Sequence, residues 1–86
     1  MQKVSIGQVR AARGLLGWSQ ADLAKRAGVS LPTIKRLEAA GGDLGGRYAT
    51  AVAIVEALEA GGVSFIPENG GGLGVRLVEP KKPKSK

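Results

Sequence analysis

Residues 19–38, SQADLAKRAGVSLPTIKRLE, restrict the fold of this chain more than any other stretch. Ser19 is a good N-cap, and Asp22 stands three residues on, where its carboxylate can reach back and complete a capping box. Trp18 and Leu23 flank that cap at the spacing of a hydrophobic staple. Leu23, Ala24 and Ala27 then share one helical face. Gly28 can end the helix in the left-handed backbone region, which a side chain reaches only at a steric cost, and Val29 follows as an apolar plug. Ser30 caps a second helix, its first turn accepts Pro32, and Ile34 and Leu37 form its buried stripe. So short a turn makes the two helices cross steeply, and the second one projects from the body.

The flanking sequence predicts two more helices. One runs from Ile6 to Leu16 behind Ser5 as cap, with Ile6, Val9, Ala12 and Leu16 inward; Gly7 and Gly14 weaken it by up to roughly 1 kcal/mol each relative to Ala. Helix three extends over 31–39, and the Gly-rich AAGGDLGG, residues 39–46, reads as a loop. A fourth helix spans 48–60 with Ala51, Ile54, Val55 and Leu58 as its apolar stripe, ended by Gly61 and Gly62. Beyond Gly62 the period changes. VSFI (63–66) and LGVRLV (73–78), separated by PENGGG, predict a β-hairpin. An isolated hairpin is marginal in water, so it needs either helix four or the edge of another copy of the chain. The expected fold is therefore mainly α: a four-helix domain over 1–62, a C-terminal hairpin over 63–78, and a basic disordered tail over 79–86.

Composition narrows the function. Eighty-six residues allow one small domain with a marginal core, which oligomerisation would enlarge. The chain has no Cys and no His, which leaves no disulfide, no thiolate metal site and no plausible nucleophile–base pair; no enzyme activity, metal or cofactor is expected. The glycine clusters fit neither a phosphate-binding P-loop nor a dinucleotide fingerprint. No apolar run approaches the ~20 residues of a membrane span, and MQKVSIGQVR lacks the apolar core of a secretory signal. We therefore expect a soluble cytoplasmic protein without a membrane partner. The net charge of +6 is unevenly spread: residues 1–36 carry seven basic side chains against Asp22 alone, whereas 37–79 carry six acids against Arg47 and Arg76. The basic half is the half with the two capped helices, which points to a polyanionic partner.

Gln20, Leu23, Ala24, Ala27, Gly28, Val29, Ile34, Leu37 and Glu38, with Arg13 upstream, resemble the pattern of helix-turn-helix regulators of the phage repressor and Cro type, the Xre family. The resemblance covers roughly residues 6–60 and implies a double-stranded DNA partner, with the helix opening at Ser30 as the recognition helix. Its outward positions are Leu31, Pro32, Thr33, Lys35 and Arg36. In the relatives, the positions matching Leu31, Pro32 and Arg36 touch base edges. Leu31 and Pro32 cannot hydrogen-bond a base but can pack on thymine methyls, which leaves base recognition mainly to Arg36, Lys35 and Thr33. The family uses the residue matching Gln20 to hold a phosphate, and reaches a phosphate or the minor groove from the position of Arg47. Arg10 is a further candidate for the phosphate backbone. The resemblance gives Arg13 and Glu38 a structural role as a buried salt bridge, beside Gly28 and Ile34.

The resulting expectation is a sequence-specific, homodimeric repressor on a palindromic operator, with the hairpin over 63–78 as the dimerisation element that the resemblance implies. An antitoxin-type component, or a helix-turn-helix adaptor that binds a protein partner such as a toxin or co-regulator, is the alternative. The lysines of the tail would add salt-sensitive attraction to phosphate.

Overall fold

The computed structural model describes residues 3–79; the expected basic tail, apart from Glu79, lies outside the described residues. The chain forms α1 (Ile6–Leu16), α2 (Gln20–Ala27), α3 (Leu31–Ala40), α4 (Tyr48–Gly61), β1 (Val63–Ile66) and β2 (Gly74–Leu77). Four helices followed by a two-stranded antiparallel hairpin is the fold class that the sequence predicts. Helices α3 and α4 each run one residue further than expected, and β2 is one residue shorter at each end than the 73–78 run.

The caps explain the boundaries of the first two helices. Ser5 accepts the N–H of Gln8 while Gln8 bonds back to the backbone of Ser5, and Ser19 and Asp22 make the same reciprocal pair. Gly17 and Gly28 sit at φ +70° and +71°. At Gly28 the helix closes with Gly28 N–H on the Lys25 carbonyl (3.3 Å) and Val29 N–H on the Ala24 carbonyl (3.0 Å), satisfying two end groups that would otherwise lack partners. Asp22 is held below the usual carboxylate range, chiefly by the Ser19 backbone N–H and then by its hydroxyl.

Ile6, Val9, Ala12, Leu23, Ile34, Ile54, Val55 and Leu58 are buried in one core with Val4, Val63 and Phe65. Leu16, expected to face inward, is half-buried and packs at the margin of this core. The hairpin rests on α1 and α4 of its own chain. One residue that helical periodicity assigns to no apolar stripe makes the decisive link. Gln8 is 4% exposed, and its amide nitrogen donates to the carbonyls of Ile66 (3.1 Å) and Gly74 (2.9 Å), stitching α1 to both strands. The Gly-rich loop is anchored too: Ile6 N–H reaches the Gly42 carbonyl at 2.7 Å and Leu44 N–H the Val4 carbonyl at 2.8 Å. Trp18 lies against Gly61, where an added Cβ would stand 2.6 Å from its Cζ2. Among the described residues no helix is long and apolar enough to cross a membrane.

Candidate nucleic-acid interface

Helix α3 begins at an exposed cap. Ser30 Oγ accepts the Thr33 N–H at 3.3 Å and shares a hydrogen bond with Thr33 Oγ1 at 2.8 Å. Ile34 and Leu37 hold the helix on the core. Pro32, Lys35 and Arg36 are exposed, and Thr33 is half-buried. Leu31 is less free than the sequence implies, because it is half-buried and packs against the core cluster.

A joint of hydrogen bonds fixes the far end of α3. Glu38 is 5% exposed and receives a two-pronged contact from Arg13, Nε to Oε2 and Nη2 to Oε1, both 2.8 Å. Arg13 Nη1 also donates to the Trp18 carbonyl at 3.0 Å, so one guanidinium ties α1, the turn before α2 and α3 together. Burial alone would raise the Glu38 carboxyl, but the bonds from Arg13 and Gln20, with the Arg13 charge, outweigh it and hold the pKa below the usual glutamate range. The Glu38 hydrogen bond correspondingly raises that of Arg13.

This joint also engages two residues expected to face DNA. The amide nitrogen of Gln20 donates to Glu38 Oε1 at 2.9 Å, and Arg10 Nη2 donates to the Glu38 carbonyl at 3.0 Å, capping the end of α3. The basic half of the sequence is thus less available than its charge suggests. Lys3 pairs with Asp43 at 3.4 Å, Arg10 and Arg13 serve Glu38, and the Arg26 guanidinium stacks over Trp18 at 4.5 Å. Lys25, Lys35 and Arg36 have no ion pair or hydrogen bond among the described residues, and two of these three lie on α3.

Arg36 does not stand alone. With Thr33, Leu37, Gly46, Arg47 and Thr50 it lines a cleft of about 310 Å³ between α3 and the start of α4. Arg47 caps α4 without a side-chain hydrogen bond to its first turn. Two arginines from separate elements, two threonines and the positive end of a 14-residue helix therefore line one hollow. Such a set suits an anion of phosphate size. Thr50, and Tyr48 at 69% exposure on the first turn of α4, were missing from the sequence-derived set. Their position in the first turn of a predicted helix was the available signal.

A family model for helix-turn-helix domains matches residues 9–59, and no curated protein matches the sequence. The chain belongs to the helix-turn-helix family of the Xre and Cro type, a DNA-binding regulatory family rather than an enzyme family.

Proposed function

We propose that this protein is a sequence-specific transcriptional repressor of the cytoplasm that binds a palindromic operator as a homodimer. The observation that carries this reading is the exposed Arg36 of α3, without an ion pair or hydrogen bond among the described residues, in the cleft it shares with Arg47. Helix α3 enters the major groove, where Arg36 takes guanine O6 and N7 together and Lys35 and Thr33 add polar contacts. Pro32 and the exposed part of Leu31 pack on thymine methyls. The cleft lined by Arg47 and Thr50 grips a phosphate and sets the register of the helix on the duplex. Gln20, held at one amide proton by Glu38, presents the start of α2 to a second phosphate. Arg10 steadies α3 from behind and contributes to the backbone field. Two subunits place their α3 helices in grooves about 34–36 Å apart, or a multiple of this, and occlude a promoter.

Selection of bound fragments from random DNA, followed by titration of the best site, tests this. Arg36→Ala should lose about 1–3 kcal/mol on the selected site while its affinity for unrelated duplex changes far less. Equal losses on both would make Arg36 a phosphate contact. Failure of the wild-type protein to bind any duplex at low salt would favour the adaptor reading, for which the apolar Leu31 and Pro32 at the head of α3 are the supporting feature.

A further inference from the structure

Asn69 is the only asparagine of the chain, and three glycines follow it. It is exposed in the bend between β1 and β2, and its side chain makes no hydrogen bond among the described residues. A Cβ on Gly71 would stand 3.8 Å from Asn69 Oδ1, so the side-chain amide is turned toward the glycines that follow.

A glycine is the least obstructed peptide that an asparagine side chain can meet, because it has no Cβ to crowd its nitrogen and a permissive backbone. That pairing permits one reaction without enzyme or cofactor. The Gly70 nitrogen, having lost its proton to solvent, attacks Asn69 Cγ, and the new C–N bond closes a cyclic imide. The side-chain nitrogen leaves as ammonia, taking up a proton from solvent in return. Water then opens the ring. Cleavage at Cγ leaves an aspartate in the ordinary chain. Cleavage at the main-chain carbonyl of residue 69 leaves an isoaspartate, with the chain running through its β-carbon. Either route consumes one water, releases one ammonia and replaces the amide by a carboxylate, whose proton passes to the ammonia.

Glu68 stands against that reaction. Its Oε2 accepts the Gly70 N–H at 3.0 Å and the Gly72 N–H at 3.2 Å. Gly70 and Gly72 sit at φ +99° and +89°, the backbone that delivers both N–H groups to one oxygen. A carboxylate is too weak a base to remove a peptide proton, so it does not start the attack. It holds that proton in place, and its negative charge disfavours the anion that must form on the nitrogen. The two bonds also fix a backbone that must rotate before the Gly70 nitrogen can reach Cγ.

We propose that Asn69–Gly70 is a site of spontaneous covalent modification through a cyclic imide, and that the Glu68 carboxylate restrains it. The site shares no residue with the α3–α4 cleft, so this reading stands independently of DNA binding. Each product undoes the clamp. Aspartate sets a second negative charge beside Glu68, and isoaspartate lengthens the main chain between Glu68 and the N–H groups it holds.

Mass analysis of the Tyr48–Arg76 tryptic peptide, cut from full-length protein incubated folded in mildly alkaline buffer, tests the proposal. Conversion at Asn69 should give both aspartate and isoaspartate; aspartate alone would mean direct hydrolysis and would overturn the imide route. Glu68→Gln, with an unchanged far-ultraviolet spectrum, should convert about 10-fold faster, the factor by which a charged acceptor outweighs a neutral one. In urea, where the loop geometry is gone, the two proteins should convert alike. A variant no faster than wild type, or an advantage that persists in urea, would overturn the restraint. A second measurement needs no variant: hydrogen exchange should find the Gly70 and Gly72 amides slowed relative to the unfolded chain, and unslowed amides would overturn the clamp. An Asn69 amide that survives in both folded proteins would overturn the site itself.

Discussion

Arginines occupy two regions of this small domain with opposite consequences. At the Glu38 joint, Arg13 and Arg10 are engaged by the protein, and their five-donor geometry is used to lock helices together. In the α3–α4 cleft, Arg36 and Arg47 have no acidic neighbour in hydrogen-bond range among the described residues, and both are exposed. The same side chain is scaffold in one place and candidate ligand-binding group in the other. A basic half-sequence therefore overstates the charge on offer. What matters is which cations the fold leaves without a partner; among the described residues Lys35, Arg36 and Arg47 lie on α3 or at the head of α4, with Lys25 and Arg76 elsewhere.

The largest effect expected from breaking this contrast is at the joint. Arg13→Ala strands the buried Glu38 and should cost about 3–5 kcal/mol of stability in urea unfolding. Arg36→Ala should leave stability within about 0.5 kcal/mol while weakening DNA discrimination. A loss of stability at Arg36 as large as that at Arg13 would erase the distinction between the two regions.

Acid sharpens the same point. The Glu38 pKa is depressed in the folded protein, so its contribution is complete above the unfolded glutamate range and is lost as pH falls through the lower, folded value. Wild-type stability should decline across that acidic window. In Arg13→Ala the buried carboxyl has lost its guanidinium and prefers its proton, so acidification should narrow the difference between variant and wild type. Paired unfolding curves at several pH values measure this directly. A smaller effect belongs to Arg26, which stacks over the Trp18 ring: Arg26→Ala should cost about 0.5–1 kcal/mol, read from the same unfolding experiment.

Much of the fold was legible because it is specified locally. Ser5, Ser19 and Ser30 announce helix starts through side chains that bond backbone groups three residues away, and Gly28 announces a stop through its own torsion angles. The apolar stripe of α4 is legible for a similar reason, since Ala51, Ile54, Val55 and Leu58 share a face at helical spacing. Gln8 was not legible. A polar residue near a helix start reads as solvent-exposed, and its burial depends on carbonyls 58 and 66 residues away. Gly61 was read as a helix terminator, whereas its second role is to admit the Trp18 ring, a contact no local pattern encodes. The candidate site divides along the same line: the outward residues of α3 follow from periodicity, but the hollow they share with Arg47 and Thr50 requires α4 to be docked.

Sequence alone determined where the helices begin, where they end to within a residue, that α3 carries cations, and that a hairpin closes the domain, because caps, glycines and periodicity act over a few residues. The tertiary structure alone decided which cations are engaged and which are left open, and that the hairpin lies on α1 and α4. Those outcomes depend on burial and on partners far apart in the chain, and desolvation makes such partnerships strong only once the elements have packed.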